Sequence, residues 1–415
     1  MDDDRQAQFT RDFARDRYTT SAPVSPAVDS AANALLLRYS NAASFFFATP
    51  RRTLLGSGLR ARVAASPGCD SAALRAVFDQ ARDDGAATPL IVGALAFDSE
   101  VAPVLFVPRT VERAGALRHV ELPAPRAAAQ RCVTHEKPSA AAYAAHVERA
   151  LQRMRSSSLK KVVLARALEI ASESDIDQAQ LLRNLARRNP AGFTFAVDLP
   201  VATRGCAPRR LMGASPELLV ERQGLQVLAN PIAGSVPRCA DAAEDAARGK
   251  ALLTSAKDLH EHDLVVDAVL DALRPYCRWI ECPTAPSLIS TATLWHLSTR
   301  VVGELRDPAT TSLDLAQALH PTPAVCGQPR QLARDTIREI EPFCRGLFTG
   351  MVGWCDAQGD GEWAVTIRCA EVQAGRARLY AGAGIVPASE PLLEVAETGA
   401  KFCAMLDALG VGAAP

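Results

Sequence analysis

The sequence has no run of about 18 or more apolar residues, so nothing in it reads as a membrane-spanning helix, although 48% of its 415 residues are hydrophobic. It also has no net charge: 46 basic residues balance 46 acidic ones, and no overall field favours nucleic acid or an anionic membrane. A small molecule is the default partner. Metal-knuckle cysteine pairs are missing too. The eleven cysteines are scattered without a CxxC, and Cys277 and Cys282, the closest two, lack a second pair. They read as reduced thiols. The string His260-Glu261-His262 is not the HExxH zinc spacing, and there is no fixed-period repeat and no heptad. The opening "MDDDRQAQFTRDFARDRY" is charged where an export signal needs a basic tip and an apolar stretch, so the expected location is the cytoplasm.

What is present is a core-forming chain with oddly placed charges. In "SLKKVVLAR" (158–166) a strand-like apolar run opens on two lysines. Strand alternation puts Lys161 on one face with Val163 and Ala165, and Lys160 on the other with Val162 and Leu164. One lysine must therefore point the way the small apolar residues point.

Residues 1–30 are polar and are expected to be loosely ordered, and the Ala, Pro and Arg-rich segment 110–138 reads as a long surface connection. "ASFFFATPRRTLLGSG" and "PLIVGALAFDSEVAPVLFVPR" read as strand, turn, strand. From Ser139, a candidate N-cap, apolar Tyr143, Val147, Leu151 and Met154 recur at helical spacing. Strands separated by Gly and Pro turns follow, then helical patterns at 256–274, 312–319, 328–340 and 389–409, with hairpin-like pairs such as 362–372 and 376–386. The mixture predicts α+β with mainly antiparallel sheets, not a doubly wound parallel sheet.

Two helices carry paired acids. Asp258 and Glu261 stand three apart, as do Glu394 and Glu397, with Lys401 one turn further on. Either pair alone would be an ordinary solvated face. Facing each other, the four carboxylates would need a hard divalent cation, most naturally Mg²⁺, and that ion keeps positions for water and an anionic substrate. Glu217 lies in the apolar "GASPELL", where an inward carboxyl has a raised pKa and can donate a proton. Its alternative is an outward-facing strand residue. Arg368 shares a strand face with Ala364, Thr366 and Ala370 and either meets solvent or clamps an anion. His296 and His320 are surrounded by apolar residues, as core histidines are.

Taken together, "KKVVLAR", "GASPELL", "PIAGS", "KDLHEHDLV", "TLWHL", "HPTPAVCGQP", "GMVGWCDAQGDGEWAVTIRCAEV", "AGAGIVPASEP" and "EVAETGAK" resemble the chorismate-utilising enzymes, which comprise isochorismate, salicylate, anthranilate and aminodeoxychorismate synthases. The resemblance is strongest over 137–410. It implies a single α+β domain over 31–415, two mainly antiparallel sheets wrapped by helices, with chorismate and Mg²⁺ in a deep cleft. It makes Lys161 the general base for water and Glu217 the general acid. Glu261 and Glu397 would be metal ligands, with Asp258 and Glu394 in a water-bridged outer layer. Arg368 and Lys401 would hold chorismate carboxylates; Gly234, Ser235, Ala324, Val325 and Gly382 would line the pocket, with His296 near the ring.

Within the resemblance, two positions select among reactions. Relatives that add ammonia lack the lysine at 161, and aminodeoxychorismate synthases carry a lysine where Ala233 stands, so the implied product is isochorismate, as in the siderophore-type enzymes. Salicylate synthases keep Lys161 and then eliminate pyruvate, which leaves that alternative open; a non-catalytic chorismate-binding protein is a further one. Ala256 and Val325 depart from the acidic residue and leucine more usual there. A monomer without a glutamine amidotransferase subunit is expected.

Overall fold

A computed structural model of the protein describes residues 26–63, 71–117, 132–201 and 206–411. The expected loose segment 1–30 lies outside these as far as residue 25, and so does the middle of the expected connection 110–138, residues 118–131.

The chain begins with α1 (Pro26–Arg38), β1 (Ala43–Ala48), β2 (Thr53–Ser57), β3 (Ala61–Arg62), α2 (Ser71–Asp83), β4 (Leu90–Leu95), β5 (Val104–Val107) and β6 (Thr110–Ala114). Next come β7 (Cys132–Lys137), α3 (Ala140–Arg155), β8 (Lys161–Ser172), α4 (Gln178–Arg188), β9 (Phe193–Leu199), β10 (Arg209–Ser215), β11 (Leu218–Gln223), β12 (Gln226–Asn230) and β13 (Ile232–Pro237). The remainder is α5 (Ala242–Leu252), α6 (Ala256–Leu273), β14 (Cys277–Glu281), β15 (Ser287–Ser290), β16 (Leu294–Ser298), β17 (Val301–Leu305), α7 (Ser312–Leu319) and β18 (Gly327–Gln328). After these run α8 (Arg330–Ile340), β19 (Met351–Asp356), β20 (Gly361–Val365), β21 (Cys369–Gln373), β22 (Arg376–Ile385) and α9 (Pro391–Leu409). The two ends of the expected surface connection are thus strands: β6 pairs with β2, and β7 with β8.

Two large sheets form, as expected for α+β. Ten strands run in the order β18, β8, β22, β21, β10, β9, β1, β2, β6, with β7 also on β8; nine run β14, β17, β12, β11, β20, β19, β4, β5, β3. A third sheet of three strands, β13, β16 and β15, was not expected. It exists because the chain leaves the nine-stranded sheet at Pro231, which has no N–H to continue the ladder.

The large sheets face each other. Phe45, Phe47 and Phe195 from one pack with Val92, Leu218 and Trp354 from the other. Phe46 points the opposite way, meeting Tyr39 edge-on at 5.9 Å, so the triple phenylalanine is buried on both faces of its strand. Helices α1, α4 and α9 cover the outer face of the ten-stranded sheet, and α2, α6 and α7 that of the nine-stranded one. Helix α3 is capped by Ser139, whose side chain accepts from the Ala142 N–H, and its Tyr143, Val147, Leu151 and Met154 are buried as their spacing requires.

Two of the corners at which the chain changes sheets are neighbours. The chain passes from β10 to β11 through Pro216 and Glu217, and back from β20 to β21 through Thr366–Arg368. Backbone bonds tie the corners together: Val365 N to Glu217 O at 3.1 Å, and Ala214 N to Arg368 O at 3.1 Å. The single strand expected through Ala364, Thr366, Arg368 and Ala370 is therefore broken. Arg368 adopts φ 50°, a left-handed conformation that puts its side chain out of strand alternation.

Candidate active site

Lys161 answers to its pattern: Lys160 is exposed, whereas Lys161 is fully buried and forms an ion pair with Glu261 of α6, Nζ to Oε1 2.9 Å. Gly384 of β22 makes the pair possible. A Cβ at this glycine would lie 2.3 Å from Glu261 Oε1 and 3.0 Å from Lys161 Cε. Val163, on the same face as Lys161, lines an adjoining cavity; Lys161 itself sits behind that wall, shielded by Glu261.

The two corners supply an acid and a cation to this cavity. Glu217 is 3% exposed, and burial pushes its carboxyl up to about 8 against the opposing pull of Lys161 and Arg368. It is therefore a proton donor at neutral pH. Burial lowers Arg368 to about 10, and it stays charged. His296, buried and near Arg368 and Lys401, is held well below its usual value and is neutral; its Nε2 has no hydrogen-bond partner among the described residues.

Helix α9 and the small sheet close the other side. Lys401 Nζ donates to Gly382 O at 2.8 Å and pairs with Glu397, and Ser235 Oγ donates to Glu397 Oε1 at 3.1 Å. Burial opposes the Glu397 carboxylate, but the Lys401 ammonium overrides it and holds the carboxyl below its ordinary value. Gly234 has φ 74°, and a Cβ there would come to 3.1 Å from Asp258 Cβ, so the strand lies flush on α6. Ala324 and Val325 complete the wall with Gly382.

Glu394 is 1% exposed, pairs with Lys257 at 2.9 Å and has the Ser389 hydroxyl beside it. Burial and the nearby Glu397 raise its carboxyl; burial, with Glu261 and Glu397 nearby, raises that of Asp258, which Ser255 holds. The four acids from α6 and α9 thus crowd one another, with Lys161, Lys257 and Lys401 as their counter-charges. Among the described residues no three acidic, histidine or cysteine side chains are gathered as metal ligands. The donor set nonetheless fits a hard cation: it is all oxygen, and its acids are under mutual repulsion.

Of the predicted residues, all but Lys161, Asp258 and Glu394 line the cavity, and these three stand immediately behind it. His320 packs edge-on to Phe97 at 6.4 Å as a core residue, and exposed His260 and buried His262 point apart, the latter bonded to Thr299 Oγ1 at 2.7 Å. Sequence reasoning missed Gly384, Tyr380, Phe348 and Thr349, which has φ 57°. It also missed the pair Arg345 and Glu341. Arg345 donates to Val163 O and Val325 O, both at 2.7 Å, while Glu341 Oε1 accepts from Ala165 N at 2.8 Å. One buried ion pair thereby clamps the Lys161 strand to the Val325 wall.

A family of chorismate binding enzymes matches residues 82–410. The chain belongs to that family. Among its relatives, the isochorismate synthase DhbC of Bacillus subtilis is 49% identical over 381 residues, covering 91% of this chain and 96% of the relative. The vibriobactin-specific isochorismate synthase of Vibrio cholerae is 45% identical over 369 residues, 88% and 91% of the two chains. A solved Bacillus anthracis structure, assigned as the 2,3-dihydroxybenzoate-specific isochorismate synthase DhbC, superposes with TM-score 0.88 at 47% identity, covering 92% of this chain and all (100%) of that one.

Proposed function

We propose that this chain is an isochorismate synthase, converting chorismate to isochorismate with Mg²⁺. The observation that carries the reading is a buried carboxyl, Glu217, raised to about 8 in the same cavity as a guanidinium and an ammonium suited to a dicarboxylate. Glu217 protonates the departing C4 hydroxyl, which leaves as water. Lys161 takes a proton from the water whose oxygen bonds to C2, and the ring double bonds shift between. One water enters, one leaves, and the net change is an isomerisation. For Lys161 to act, its pair with Glu261 must open. Arg368 and Lys401 hold carboxylates, and neutral His296 offers Nε2 to the ring substituents.

Glu261 and Glu397 would hold the Mg²⁺, with Asp258 and Glu394 behind them; the ion would bind the ring carboxylate and stabilise developing charge. The crowding of these four acids supports this assignment. We further infer one catalytic domain over 31–415, a monomer in the cytoplasm, with no glutamine amidotransferase subunit. No helix among the described residues is long and apolar enough to cross a membrane. The test is to incubate the protein with chorismate, with and without Mg²⁺, and identify products by liquid chromatography and mass spectrometry. Mg²⁺-dependent isochorismate is expected; salicylate with pyruvate would reassign the chain to the lyases, and unchanged chorismate would make it a binding protein.

A further inference from the structure

Arg368 borders a second, narrow cavity between the end of α4, the β15–β16 hairpin tip and the turn of α9 beyond Lys401. Arg368 is 9% exposed as a residue, and the charges of Glu397 and Glu217 reach its guanidinium through space. A buried cation without a paired anion is costly. Glu217, Glu261 and Glu397 line the main cleft, and the first and last of them act on Arg368, whereas no carboxylate lines the second cavity. Its remaining charge is Arg188 at the rim, paired with Asp407 at 2.9 Å. Leu185, Ala404 and Met405 make its walls apolar, and Thr291 and Thr293 stand at its edge.

We propose that this cavity is a second anion site that takes a small cyclic or aromatic monocarboxylate, with the carboxylate on Arg368 and the ring against Leu185, Ala404 and Met405. Resting on the reading that Arg368 also holds a substrate carboxylate in the cleft, the two occupancies exclude each other, so such a ligand inhibits competitively. Neither wall contributes a group to the proposed chemistry.

Benzoate is the probe, titrated into the full chain by calorimetry and added to steady-state assays with chorismate. Ala404→Trp and Thr293→Phe fill the cavity from opposite walls, so one folded variant, verified by its melting curve, suffices. Benzoate is expected to raise the apparent KM without changing kcat. Either variant should weaken benzoate binding by about tenfold or more while leaving uninhibited kcat and KM within about twofold. Unchanged benzoate affinity in a folded variant would place benzoate in the main cleft and overturn the proposal. So would the absence of binding at millimolar benzoate, or inhibition that lowers kcat alone. Benzoate binding that the variants abolish, in a protein that does not turn over chorismate, would uphold this site and sink the proposed reaction instead.

Discussion

A carboxyl group at about 8 in a cleft sets a specific pH dependence. Glu217 must be protonated to deliver a proton, so kcat/KM should fall as pH rises through about 8, and the alkaline limb should disappear in Glu217→Gln. Loss of general acid catalysis in that variant, or of the base in Lys161→Ala, should lower kcat by ~10² to 10⁴-fold. Stability moves the same way: the folded-state value lies above the unfolded one of 4.5, so between 4.5 and about 8 the unfolded chain releases a proton the folded chain keeps, and folding weakens as pH rises. Glu217→Gln should flatten that part of the denaturation profile. Both residues were legible because a charge in an apolar pattern needs a reason. Arg368 was legible as a candidate, but its left-handed φ was not, since strand alternation assumes the strand continues. The shielding of Lys161 by Glu261 was equally hidden, because it joins side chains a hundred positions apart in sequence.

Among elements, the helices with apolar residues at helical spacing were readable close to their ends, α3, α6, α7 and α9 among them. The corners between sheets were not, since two strands in a row read alike whether the second stays in the sheet or leaves it. What holds β8 in place also escaped the pattern, because Arg345 and Glu341 lie near 160–165 only in space. Arg345→Ala leaves Glu341 as an unpaired buried carboxylate and should cost about 3–5 kcal/mol in denaturant unfolding. Arg345→Lys restores charge without the fork of donors. It should recover part of that stability while leaving kcat/KM depressed, because Val163 O and Val325 O are no longer both held. Recovery of full activity by the lysine would mean the clamp contributes only charge. Gly384→Ala forces a methyl against Glu261 and Lys161 and should impair turnover more than it lowers the melting temperature.

For the whole molecule, a sandwich of two antiparallel sheets brings groups from distant segments to one end, which is why the α+β class was legible while the third sheet was not. The crowding of acids from α6 and α9 predicts that Mg²⁺ raises the melting temperature of the protein, and that Glu261→Gln with Glu397→Gln abolishes this response; an unchanged melting temperature in saturating Mg²⁺ would count against the assignment. The central claim is that the incoming oxygen comes from water while the C4 hydroxyl departs. The direct measurement is turnover of unlabelled chorismate in H₂¹⁸O, with the position of label in the product read by mass spectrometry and ¹³C NMR. One ¹⁸O at C2 of isochorismate in each first-turnover product is the predicted result. Isochorismate formed without label would mean the hydroxyl migrates within the substrate, and Lys161 and Glu217 could not have the roles given to them.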